Sequence, residues 1–197
     1  LEQKKIQMKE KRRFSGCKVA VSSFRFNKAL EKLRFDCDAL GIYFGNRNYS
    51  LNTSIHLLGG YDYNYYKKDW AAGFQTKNCW DGEFSYYLNY KQRDDIGDAR
   101  TNWELNRHFQ FALLAKDYFV SGDRQYADSL EELFIDWNEK NSFLHGISWT
   151  SAMEIAIRCI QWTIALSFLQ KKGDILYGEL MENMAVSYTH LRAHETR

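Results

Sequence analysis

The chain has 197 residues, 45% of them hydrophobic and 16% aromatic. That is long enough for one ordinary domain with a real core, and it excludes a disordered chain. A net charge of only +2 excludes a general nucleic-acid binder, and no apolar run reads as long enough to span a membrane. The four cysteines, Cys17, Cys37, Cys79 and Cys159, are too far apart for a CxxC pair. They read as free, mostly buried thiols and leave the compartment undecided. There is no proline, so Gly, Ser, Asn and Asp must end the helices.

Residues 1–22 are charged and weakly patterned, with Lys4, Lys5, Lys9, Lys11, Arg12, Arg13 and Lys18 crowded together. They read as a solvated segment or, alternatively, an anion-binding arm. The chain begins with Leu1, so the lack of a signal peptide says nothing of its compartment. A short amphipathic helix is expected from Asn27 to Leu40, with Ala29, Leu30 and Leu33 on one side. Residues 41–97 are rich in Gly, Asn, Tyr and Trp and show no clear period. Loops and short helices are expected there, with a few residues of strand around Ile42-Tyr43-Phe44. Tyr61–Tyr66 and Trp80–Tyr90 are its aromatic clusters; such rings serve cores and also offer flat, partly polar faces to sugars.

After Gly97 the pattern sharpens. Thr101-Asn102-Trp103-Glu104 fits a capping box, in which Thr accepts a backbone N–H and Glu reaches back to the cap. The spacing predicts one helix from there to Ser121, closed by Gly122, with Asp123 capping the next. Tyr126, Leu130, Leu133, Phe134 and Trp137 then form a single apolar face from Arg124 to Glu139. After a loop over residues 140–146, Ser151-Ala152-Met153-Glu154 offers a second capping box. The helix behind it runs to Leu169 and is apolar most of the way round, the pattern of a helix buried between others. Lys171-Lys172-Gly173-Asp174 turns the chain, and a fourth helix is expected from Ile175. Antiparallel helices joined by short turns fit a helical array or a closed α/α toroid; no strict repeat period supports a solenoid.

The tail differs in kind. Val186 to Thr196 back-translates into a string resembling a transposon-derived sequencing adaptor. The adaptor demands that residue 185 have a codon ending in CT, and Ala185 satisfies this. Residues 186–197 are therefore read as non-native and set aside. That removes His190 and His194, whose i, i+4 spacing otherwise suggests zinc; no metal site or cofactor is expected.

Three blocks occur in order: Trp103-Glu104-Leu105-Asn106-Arg107-His108, Ser121-Gly122-Asp123-Arg124-Gln125-Tyr126-Ala127, and Gly146-Ile147-Ser148-Trp149-Thr150-Ser151-Ala152-Met153-Glu154-Ile155-Ala156-Ile157-Arg158. Together they resemble the N-terminal helical domain of the heparinase II/III-like family, over residues 80–170. The resemblance implies an all-α fold over residues 23–185, part of an incomplete α/α toroid made of antiparallel helical hairpins. It implies an irregular aromatic-rich segment before them and a β-sandwich domain after. It also implies a bacterial polysaccharide lyase, periplasmic or secreted, whose partner is an acidic polysaccharide.

Lyases of that family cleave by β-elimination. One group neutralises the uronate carboxylate, a base removes the C5 proton, and an acid protonates the leaving oxygen. In the family an Asn, a Tyr and a His serve, and they align beyond residue 185. No catalytic residue is assigned, and the chain alone is expected to be inactive. The substrate class spans heparan sulfate, alginate and bacterial surface polysaccharides. Arg107, His108, Trp149 and Arg158 are the candidate substrate-binding residues; an Arg fork suits a carboxylate or sulfate. Against this stands a structural reading, in which Glu104 caps its helix and pairs with Arg107, His108 is a satisfied buried group, and Glu154 and Arg158 make a structural salt bridge. Two other functions remain open. One is a glycoside hydrolase on an α/α toroid, with Asp94, Asp95 and Asp98 as the carboxylates to test. The other is a non-catalytic helical glycan-binding or scaffold protein.

Overall fold

The computed structural model describes residues 54–91 and 93–172. The charged segment 1–22, the helix expected from Asn27, the strand around Ile42, the fourth helix from Ile175 and the tail from Val186 lie outside the described residues. The described part is mainly α, with one small two-stranded sheet.

Strands β1 (Ile55–Leu57) and β2 (Tyr61–Tyr63) pair antiparallel, with Ile55 opposite Tyr63 and Leu57 opposite Tyr61. Gly59 and Gly60 take φ of 85° and 81° in the turn between them, a region open to glycine. Leu57 and Tyr63 face the core. A single turn of 3₁₀ helix, Tyr65–Lys67, follows. The chain to residue 97 is then loop, as its lack of period implied. Gly73 closes one of these loops, where an added Cβ would lie 2.4 Å from the Asn78 carbonyl oxygen.

Helix α1 is Ala99–Leu105, α2 is Phe109–Ser121, α3 is Arg124–Lys140 and α4 is Ala152–Lys172, the last preceded by a 3₁₀ turn at Ile147–Trp149. The expected capping box at Thr101 is corrected. Asp98 caps α1 by accepting the Arg100 N–H at 2.9 Å, and Thr101 lies inside the helix, where its hydroxyl donates to the Leu58 carbonyl at 3.1 Å. Glu104 accepts the Leu58 N–H, so it pins the hairpin turn to α1 instead of capping. Replacing Asp98 by Ala should cost about 1 kcal/mol, read as a shift in denaturation midpoint with unchanged slope.

The single helix expected from Thr101 to Ser121 is two. Asn106, Arg107 and His108 interrupt it, and His108 takes the left-handed conformation at φ 62°. At the α2–α3 turn and along α3 the sequence reading holds. Gly122 is left-handed at φ 73° and Asp123 accepts the Gln125 N–H. Ala127, Leu130, Leu133, Phe134 and Trp137 bury one face of α3. Helices α2 and α3 make a hairpin, and α2 also packs along α4. At the second expected capping box, the Glu154 carboxylate is held instead by Arg107.

By length and composition alone, Ala152–Leu169 of α4 would suffice to cross a membrane, which corrects the expectation that no run was long enough. The reason is its place in the core. Ile155, Trp162, Ala165, Leu166, Phe168 and Leu169 are buried in the main cluster, and a helix apolar on most sides is what such a position requires.

Candidate functional site

The interruption between α1 and α2 decides where the candidate residues go. With the backbone turned at His108, the imidazole enters the core and is 0% exposed. It stacks on Phe111 at 4.3 Å between centroids and meets Trp137 edge-on at 4.8 Å. The Trp162 indole N–H donates to its Nδ1 at 2.8 Å. Because Nδ1 accepts, the neutral ring carries its proton on Nε2, and Nε2 finds no acceptor among the described residues. Burial first, and the nearby Arg158 charge second, hold its pKa well below the usual histidine value.

Arg158 is the second buried group, also 0% exposed. Its guanidinium lies 4.7 Å from the Trp137 ring centroid, 5.0 Å from Trp149 and 5.9 Å from Trp162. One terminal nitrogen donates to the Asn106 carbonyl at 3.3 Å and the other to the Ser148 carbonyl at 3.1 Å. Burial pulls its pKa down to about 10, so it remains charged at neutral pH. The two carbonyls and three indole faces replace part of the water it has lost, while its Nε finds no acceptor among the described residues. Those carbonyls belong to the α1–α2 break and to the 3₁₀ turn before α4, so one side chain ties two irregular segments together. Trp149 itself is buried and donates to the Asn141 carbonyl.

Arg107, next to His108 in sequence, points elsewhere. It grips Glu154 in a fork, with Nε on Oε2 and the second nitrogen on Oε1 at 2.9 Å. The expected Glu104–Arg107 pair and the expected Glu154–Arg158 pair are thus replaced by one interhelical pair. The Glu154 hydrogen bonds raise the Arg107 pKa. Glu154 is 4% exposed and Arg107 19%. Of the four candidate substrate contacts, Arg107 alone keeps appreciable surface; His108, Trp149 and Arg158 present almost none to a ligand in this fold. The structure therefore brings Arg158 and Trp149 together, and His108 close to both through shared indoles, but it does not gather the four on an open face.

Sequence reasoning missed the asparagines of the same knot. The Asn106 amide donates to the Trp70 carbonyl at 3.0 Å and to Asn102, while its oxygen accepts the Trp137 indole N–H at 2.8 Å. Asn102 donates to the Trp70 and Ala72 carbonyls at 2.9 and 3.0 Å. The signal available was their i, i+4 spacing on one face of α1, beside a residue that cannot be judged buried from period alone.

Two of the three carboxylates proposed for a hydrolase, Asp95 and Asp98, are engaged locally. Asp95 takes both contacts from Arg93, and Asp98 takes the fork of Arg100. Each is held below its usual pKa by its arginine. They serve turns, not a pair facing across a cleft. Among the described residues, no group of three His, Cys, Asp or Glu side chains is placed to hold a metal ion.

A shallow pocket of about 240 Å³ lies between the 80–82 and 140–147 segments. Its walls are joined by the Gly146 N–H to the Glu83 carbonyl at 2.7 Å and by the Ser85 N–H to the Leu144 carbonyl at 2.8 Å.

Comparison with known proteins adds one finding. A 46-residue stretch is 41% identical to a heparin-sulfate lyase of Bacteroides stercoris, covering 23% of this chain and 7% of that protein's length. No family model matches the chain, and no solved structure matches it. The finding supports a distant relationship to a heparin-sulfate lyase over that stretch.

Proposed function

We propose that the chain is part of the helical domain of a polysaccharide lyase that cleaves uronic-acid glycans by β-elimination, its helices belonging to an incomplete α/α toroid. The observation that carries this reading is the 41% identity over 46 residues to a heparin-sulfate lyase. The helical hairpin of α2 and α3, with α4 packed on α2, is compatible with such a domain. In this reading the buried knot of His108, Arg158 and Trp149 is the frame, and Arg107 is the group at its edge that meets the acidic sugar. An arginine already gripping Glu154 can turn part of its fork to a carboxylate only if the pair loosens, so Glu154 sets its orientation. The base, the acid and the group that neutralises the uronate come from segments beyond residue 185.

The test begins with the source DNA, read past codon 185, and with the protein encoded by the extended frame. That protein should release unsaturated uronate, seen by its ultraviolet absorbance, from heparan sulfate, alginate or a bacterial surface polysaccharide, whereas the 197-residue chain should release none. If the extended protein produces no unsaturated product from any of these, the reading fails.

A further inference from the structure

The aromatic cluster from Trp80 to Tyr90 is used by nothing described so far. Its middle stands outside the core: Tyr86 is 68% exposed and Tyr87 41%. Their rings meet at 90° with centroids 5.3 Å apart, forming an open corner. From Tyr87 the rings continue inward to Phe84 at 5.9 Å and then to His145 at 5.8 Å. His145 is in the wall of the pocket between the two loops, with Trp80, Asp81 and Ser142. The Trp80 ring is 96% buried, and its indole N–H has no acceptor among the described residues. A buried donor left without a partner is costly.

We propose that the Tyr86–Tyr87 corner and this pocket form one binding surface for a pyranose oligosaccharide. The tyrosine faces stack on the C–H face of one ring, and the pocket holds the hydroxyls of the next. The inference deepens the lyase reading and rests on it for the class of ligand. The pocket is smaller than those that engulf drug-sized ligands, which start at about 300 Å³, and suits one ring of a chain lying across the surface. The Asp81 carboxylate accepts from sugar hydroxyls, and the Ser142 hydroxyl donates or accepts. Lys140 also lines the pocket, but its ammonium is engaged by Asp136 at 2.8 Å and by the Lys68 carbonyl at 3.0 Å. Recognition is therefore by stacking and hydroxyl hydrogen bonds, not by charge, and binding depends little on salt.

The test is titration calorimetry, supported by saturation-transfer NMR, on the full chain with heparan sulfate oligosaccharides and with neutral cello-oligosaccharides. Binding of either, little changed by added salt, is expected. Y86A/Y87A should weaken it by about tenfold or more, and Ser142→Ala and Asp81→Asn should weaken it less. Both tyrosines are exposed, so the double variant should keep the parent's circular dichroism and melting temperature. Absence of binding to both probes, or equal binding by the double variant, overturns the proposal. So does a steep loss with salt, which would assign binding to basic residues elsewhere. The two readings fail separately. A chain that binds, from an extended protein that forms no unsaturated product, sinks the lyase alone. An extended protein that cleaves with the same KM after Y86A/Y87A sinks the tyrosine surface alone.

Discussion

Replacing Arg158 by Ala should lower the unfolding free energy by about 3–5 kcal/mol. Three losses add. Truncation leaves a cavity among three indole rings, the Asn106 and Ser148 carbonyls lose their buried donors, and the cation–π contacts vanish. One gain offsets them, since a charge need no longer be taken out of water. Arg158→Met separates the terms. It keeps most of the volume and removes the charge, so the orphaned carbonyls and the lost cation–π contacts remain without the cavity, and its cost should fall clearly below that of Ala. Equilibrium urea unfolding of the two variants measures this. An Arg158→Ala midpoint close to that of the parent would show that the guanidinium is not what ties the α1–α2 break to the start of α4.

Acid should destabilise the protein before its carboxylates titrate. His108 is held neutral in the fold, with its pKa below the ordinary value of 6.5, while in the unfolded chain it titrates normally. Between those two values the unfolded state binds the additional proton. Stability is therefore fully present above about pH 6.5 and falls as pH drops below it, by at most about 1.4 kcal/mol per pH unit. His108→Gln keeps an acceptor for the Trp162 N–H and removes the titration. The variant should lose some stability at neutral pH, because φ 62° and the aromatic packing suit it less, but its stability should be flat between about pH 5 and 6.5. Denaturant titrations across that window decide. A parent whose stability is equally flat there would mean that the imidazole gains a partner when protonated.

The regular helices were legible because their signals are local. Asp123 and Gly122 punctuate the α2–α3 turn, and the apolar spacing of α3 gives its buried face without knowledge of anything else. The α1–α2 break was not legible. Leu105 and Phe109 continue the helical period straight across it, and nothing near His108 is a glycine or proline. What turns the chain is tertiary: the imidazole gains Phe111, Trp137 and Trp162 as neighbours only when residue 108 leaves the helix, and that packing outweighs the backbone preference. The pairings failed for a related reason. Spacing proposed Glu104 with Arg107 and Glu154 with Arg158, both within a helix. The fold joins Arg107 to Glu154 across 47 positions instead, a contact no local rule encodes. For the site, sequence named His108, Trp149 and Arg158 but missed Asn102 and Asn106 beside them, and nothing in it singles out Tyr86 and Tyr87 from a run of aromatics.

The indoles around Arg158 have an optical consequence. Trp137 and Trp162 lie 5.6 Å apart at 83°, and Trp137 and Trp149 6.0 Å apart at 42°. Transition dipoles this close and this inclined exchange excitation, so their absorption bands split into components of opposite rotational strength. The folded chain should carry a paired positive and negative band over the helical circular dichroism in the far ultraviolet. Because α3, α4 and the turn between them each contribute one ring, that couplet reports their assembly: it weakens when α4 or the turn comes away and disappears when α3, whose Trp137 is common to both pairs, comes away.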